Sequence, residues 1–188
     1  MRVNTGTARG MTLETLPGED IVRPTSQKAK EAIFSALQFF IPGSTMLDLF
    51  AGSGQMGIEA LSRGASHCVF VDNSREAIAV IKKNLNKTGL FRSASVAETD
   101  ALRYIQRNRS KFSFIYADPP YRKDIAGGLV EYLGKILEDG GHAAVEAEKE
   151  AVLPEESDEL ILKKRYDYGN TSIWLYEKKT AEEEVNEE

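Results

Sequence analysis

Cysteine is almost missing: the 188-residue chain has one, Cys68. That excludes an internal disulfide and any cysteine-rich zinc site. Histidine is nearly as scarce, and His67 and His142 stand apart with no ligand spacing, so no metal is expected. There is no run of 18 apolar residues, as a membrane-spanning helix would need. The opening Met1-Arg2-Val3-Asn4-Thr5-Gly6 lacks the apolar core of a secretion signal. Internal repeats and low-complexity linkers are also absent. Together these point to a cytoplasmic protein.

No strong charge surplus remains once the tail is set aside. The net charge of −5 comes from residues 181–188, which carry five glutamates and no Lys or Arg, leaving 24 basic against 24 acidic groups. Overall acidity is therefore no argument against a nucleic-acid partner. The tail, counted from residue 179 to 188, has little apolar surface to bury and should be disordered. The length fits one domain with a small appendage.

From residue 45 onward, short apolar runs alternate with helical stretches, the signature of a mostly parallel, doubly wound α/β sheet. Strands are expected at residues 45–50, 67–72, 94–98, 112–117 and 142–146. Helices are expected near 55–62, 74–85, 101–107 and 128–137. Segments 160–166 and 172–176 read as an antiparallel C-terminal pair. Residues 1–40 form the appendage, two extended pieces and a helix over 26–40. Pro42-Gly43 separates it from a main domain over 41–178.

Gly52-Ser53-Gly54-Gln55-Met56-Gly57 follows the first strand and opens a helix, a turn that lets a ligand approach backbone N–H groups. Asp72 ends the next strand, twenty residues after Gly52, where a carboxylate can grip ribose hydroxyls. These marks alone leave NAD and S-adenosylmethionine both open. Three further carboxylates decide. Asp48 near the end of the first strand suits a ligand carrying an ammonium and a sulfonium, and suits a pyrophosphate badly. Asp100 follows the third strand, within reach of an adenine amine. Asp118 opens Asp118-Pro119-Pro120-Tyr121 after the fourth strand, on the same sheet edge. The expected cofactor contacts are Asp48, Phe50, Ala51, Gly52, Ser53, Gly54, Gly57, Asp72, Asn73, Asp100, Ala101 and Asp118.

The Asp-Pro-Pro-Tyr loop fits methylation of an exocyclic base amine. Such an amine is a poor nucleophile until hydrogen bonds to both N–H groups localise its lone pair. Asp118 supplies one acceptor and nearby carbonyls another, in a frame stiffened by Pro119 and Pro120. Tyr121 offers a flat face for a base removed from its stack. Asp118, Pro119, Pro120 and Tyr121 are therefore the candidate catalytic residues.

These motifs resemble the bacterial small-subunit ribosomal RNA guanine-N2 methyltransferases of the RsmD type. The resemblance spans residues 2–177. It rests on Arg2, Gly6 and Ala8-Arg9-Gly10; on Arg23-Pro24-Thr25; on the run from Leu47 through Gly54 to Gly57-Ile58-Glu59-Ala60-Leu61-Ser62-Arg63-Gly64-Ala65; on Asp118-Pro119-Pro120-Tyr121; and on Tyr168-Gly169-Asn170-Thr171. It implies a Rossmann-like methyltransferase fold and S-adenosylmethionine as donor. It further implies N2 methylation of guanine 966 of 16S ribosomal RNA within the assembling small subunit. The protein is expected to be a monomer. The expected RNA contacts are Arg2, Arg9, Arg23, Lys28, Lys30, Tyr121 and Arg122. A second basic set, Arg103, Arg107, Arg109 and Lys111, lies near the loop in the sequence. Competing readings are a DNA or other RNA amino-methyltransferase with the same loop, a non-catalytic ribosome-assembly factor, and an NAD-dependent oxidoreductase.

Overall fold

The structure, a computed structural model, describes residues 1–17, 24–120 and 125–180. Five strands run parallel: β1 (Thr45–Leu49), β2 (His67–Asp72), β3 (Ala94–Glu98), β4 (Phe112–Ala117) and β5 (Leu137–Glu148). A C-terminal hairpin of β6 (Leu160–Tyr168) and β7 (Thr171–Lys178) completes the sheet. The order is β3-β2-β1-β4-β5-β7-β6, so the second hairpin strand docks on β5 and the first becomes the edge. The expected α/β sheet with an antiparallel C-terminal pair is present. None of the described helices is long and apolar enough to cross a membrane.

Helices α1 (Pro24–Ala36), α2 (Gln55–Ser62) and α3 (Arg75–Thr88) pack on one face, while α4 (Ala101–Arg107) and α5 (Ile125–Ile136) cover the other. Covered on both faces, the central strands carry near-continuous apolar runs rather than alternation. β1 is buried from Met46 to Leu49 and β4 from Phe114 to Ala117. α3 shows how local signals fix an element. Ser74 caps its first turn by accepting the Ala77 N–H at 3.3 Å, and Gly89 ends it in the left-handed region. Its buried stripe is the expected Ala77, Ile78, Ile81 and Leu85, with Asn84 added.

Two elements differ most from expectation. β5 starts five residues earlier than its apolar run. Asp139-Gly140-Gly141 reads as a turn, yet Leu137 already pairs with Phe112, and a register shift between Phe112 and Phe114 absorbs the extra residues. Helix α1 begins at Pro24, where a missing N–H costs nothing, and ends at Ala36, short of Phe40. Lys179, expected in the tail, donates its N–H to the Glu159 carbonyl at 3.0 Å and pairs with Glu156. Residues 181–188, expected to be disordered, lie outside the described residues.

The N-terminal segment shares its core with the sheet. Val3, Ala8 and Leu13 are buried in one cluster with Ile33, Phe34, Ile58 and Phe70. The tie is Glu59 of α2, which is fully buried. Its carboxylate accepts the Asn4 N–H at 2.8 Å and the Thr5 N–H at 3.1 Å, and pairs with Arg63 at 2.8 Å and Lys30 at 3.1 Å. Lys30 corrects an expectation. The residue is only 2% exposed and its ammonium is held by Glu59 and the Arg2 carbonyl, so it anchors the segment and is not laid open to solvent as an RNA contact would be. Burial lowers the Lys30 pKa, and the neighbouring Glu59 carboxylate opposes that shift. Removing one partner of such a web leaves uncompensated charge. Glu59→Ala should cost about 3–5 kcal/mol in urea denaturation; a loss under about 1 kcal/mol would mean that the web does not hold the segment.

Candidate active site

β1 is flanked by β2 on one side and β4 on the other, so the chain leaves it in opposite directions and a crevice opens at the carboxyl ends. Asp48 sits there, 1% exposed. One oxygen, Oδ2, accepts the Gly57 N–H at 2.9 Å, while Oδ1 is buried with no partner among the described residues. Burial, with Asp72 adding like charge, pushes its carboxyl up to about 8. Asp48 borders a cavity of about 170 Å³ lined also by Phe50, Ala51, Gly52, Ser53, Tyr116, Asp118 and Glu146.

A larger cavity of about 610 Å³ lies on the β2–β3 side. Asp72, Asn73, Asp100 and Ala101 line it with Leu16, Thr99, Leu102 and Pro120. Asp72 accepts the Gly52 N–H at 2.9 Å and the Ser74 N–H at 2.8 Å, which fixes the glycine loop against β2. Both oxygens keep lone pairs for further donors. Asp100 caps α4 by accepting the Arg103 N–H at 3.0 Å. Phe50, Gly52 and Asp118 border both cavities, so they form one crevice across four strand ends. Phe50 holds φ at 60°, a costly conformation for a residue with a side chain, at the junction of the two.

The glycines divide by role. Gly54 (φ 79°) makes the left-handed turn into α2. A Cβ on Gly57 would lie 2.3 Å from the Phe70 ring and 2.6 Å from the Cys68 sulfur, so this position lets helix and strand close together. Neither Gly54 nor Gly57 is among the residues lining the two cavities. What the structure shows of them is shape: Gly54 turns the chain into α2, and Gly57 donates its N–H to Asp48.

Tyr116 and Glu146 are among the lining residues that the sequence does not announce. Tyr116 lies two residues before Asp118 and is buried, and its hydroxyl donates to Glu146 Oε2 at 2.5 Å. Burial and the carboxylates of Glu146 and Asp118 hold the phenol well above its ordinary range, and burial raises Glu146. A glutamate in the apolar run Ala143-Ala144-Val145-Glu146-Ala147 was the available signal. Asn84 was missed too. Fully buried, its amide donates to the Ser53 and Glu14 carbonyls, both at 3.0 Å, joining the glycine loop to the N-terminal segment.

Pro119 is buried and Pro120 exposed at the rim. Arg2, Arg9 and Lys28 are exposed on the α1–α2 side, and Arg103, Arg107, Arg109 and Lys111 are exposed on and after α4, which packs on the other face. Arg23, Tyr121 and Arg122 lie outside the described residues.

Asp48 carries a stability signature. Its pKa of about 8 in the folded chain exceeds the ordinary 3.8, so the native state holds a proton that the unfolded chain gives up. The stability present below pH ~4 is therefore lost as the pH rises toward about 8. Asp48→Asn removes that loss while keeping an acceptor for Gly57. The variant's melting temperature should gain on wild type between pH 4 and 8, by about 2–4 °C for each kcal/mol relieved. A difference that does not change with pH would contradict this.

A family model described as "Conserved hypothetical protein 95" matches residues 1–177. YlbH of Bacillus subtilis is 38% identical over 95% of this chain and 100% of that protein. Ribosomal RNA small subunit methyltransferase D of Escherichia coli is 31% identical over 97% of this chain and 92% of its own. Among solved structures, the E. coli protein yhhF superposes with a TM-score of 0.84 at 27% identity, covering 96% of this chain and 98% of that one. A 16S rRNA N2 methyltransferase of Thermus thermophilus in complex with AdoMet and guanosine shares the fold at TM-score 0.72 and 22% identity, over 88% of this chain and 46% of that one. On the full-length match to these relatives, the chain belongs to the family of ribosomal RNA small subunit methyltransferase D.

Proposed function

We propose that this chain transfers a methyl group from S-adenosylmethionine to the exocyclic N2 amine of a guanine in small-subunit ribosomal RNA, guanine 966 by the family pattern. The observation that carries the reading is Asp118, which borders both cavities of the strand-end crevice. A carboxylate there can face a donor on one side and an amine on the other.

The residues fit the donor. Asp48 Oδ1 is a buried acceptor with no partner among the described residues, in a cavity that Asp118 also lines. Such a lining suits an ammonium and a sulfonium and would repel a pyrophosphate, which disfavours a nicotinamide dinucleotide. Asp72 and Asn73 suit ribose hydroxyls, and Asp100 with Ala101 suits the adenine. When bound, S-adenosylmethionine supplies a methyl carbon made electrophilic by the positive sulfur.

The chain's own part is positioning and electrostatics. Asp118 accepts a hydrogen bond from the amine and so aims its lone pair. As the nitrogen becomes cationic, the same carboxylate stabilises the charge and passes the released proton toward solvent. Arg2, Arg9 and Lys28, with Arg23, Tyr121 and Arg122, are the proposed RNA contacts. Phosphate contacts would set orientation, and the shape of the folded subunit would supply selectivity.

Two variants separate these roles. Asp72→Ala should weaken S-adenosylmethionine binding in calorimetry by ~1.5–3 kcal/mol, the range of a charge-assisted hydrogen bond. Asp118→Ala should slow methyl transfer to small subunits far more than it weakens binding. Turnover within about tenfold of wild type would contradict a transition-state role above ~1.4 kcal/mol.

A further inference from the structure

Reading across the sheet edge gives an ordered series of carboxylates: Asp100 after β3, Asp72 on β2, Asp48 on β1, Asp118 after β4 and Glu146 on β5. The larger cavity takes the β3–β2 end of that series. Ala117 pairs with Val145, so Asp118, just past β4, and Glu146, on β5, stand at the same level. Both line the smaller cavity, and Glu146 lies on the side away from Asp72 and Asp100. If the donor's nucleoside lies along Asp72 and Asp100, the purine must meet Asp118 from the Glu146 side.

Glu146 is also aimed. Tyr116 donates to its Oε2, which leaves Oε1 as the oxygen for a second donor. Guanine presents such a donor beside its amine, because N1 carries a hydrogen. Adenine has a bare nitrogen, an acceptor, next to its own amine. A carboxylate at that position attracts the first and repels the second.

We propose that Glu146 selects guanine at the target site by accepting the N1–H through Oε1, while Asp118 takes the adjoining amine. Tyr116 is the positioning residue that holds Glu146 in place. This rests on the methyl-transfer reading above and names the group that makes it guanine-specific.

The test uses 2-aminopurine, which has the 2-amine but a bare N1. Small-subunit RNA carrying either guanine or 2-aminopurine at the methylated position is offered to full-length enzyme, and the two rates are compared. Wild type should prefer guanine by about 10–100-fold, the range of one charge-assisted hydrogen bond. Glu146→Gln can turn its amide to donate to the bare N1, so the preference should fall to within a few-fold. Tyr116→Phe leaves the carboxylate in place but unheld, and should give an intermediate preference between guanine and 2-aminopurine. An unchanged preference in both variants, with guanine still methylated, would overturn the role of Glu146 alone. No methylation of the guanine RNA by wild type would overturn the methyl-transfer reading and this inference with it.

Discussion

A carboxylate buried at the end of the central strand, with one oxygen unpaired among the described residues, is the constraint on which the site depends. Asp48 lies where the strand order reverses, and among the described residues its one donor is the Gly57 N–H. For that N–H to arrive, α2 must lie close on β2, and only a residue without a side chain fits against Phe70 and Cys68. The tight approach sets the turn at Gly54 and brings Gly52 onto Asp72. Burying Asp48 is unfavourable for folding, since its carboxyl rises to about 8. A cationic ligand would reverse that penalty by restoring the charged form. Stability surrendered at this point is the mark of a site arranged for a ligand.

The rest of the chain supports this edge from below and behind. Glu59 gathers Asn4, Thr5, Lys30 and Arg63, and Asn84 joins the glycine loop to Glu14. Both are fully buried polar side chains whose partners come from distant segments. The N-terminal segment is thus fixed beside the smaller cavity, where Met1 and Lys30 contribute to the lining. Exposed arginines on that segment are carried by the same framework that holds Asp48. An RNA contact there would be rigidly placed relative to Asp118.

Local chemistry made much of this legible in sequence. The glycine run, the Ser74 cap and the aspartates at strand ends signal themselves within a few residues, and each stands where the sequence expects it. What stayed hidden depends on distant pairing. Lys30 reads as a surface cation because nothing near it in sequence announces Glu59, 29 residues away. Glu146 reads as a strand-end acid until β5 is laid beside β4 and Tyr116 reaches it. The two C-terminal segments read as an antiparallel pair, but either could have docked on β5, and the choice of β7 is a matter of packing. Gly57 looks like a ligand contact because motif spacing does not separate approach to a ligand from approach of a helix to a strand.

The central claim is that the strand-end crevice methylates the N2 amine of a guanine in the small subunit. Its most direct measurement is transfer of an isotope-labelled methyl group from S-adenosylmethionine to small subunits from cells lacking the protein. Nucleoside mass spectrometry then identifies the product. The account predicts label in N2-methylguanosine at a single site. Label in N6-methyladenosine, or no label in the RNA, would contradict it.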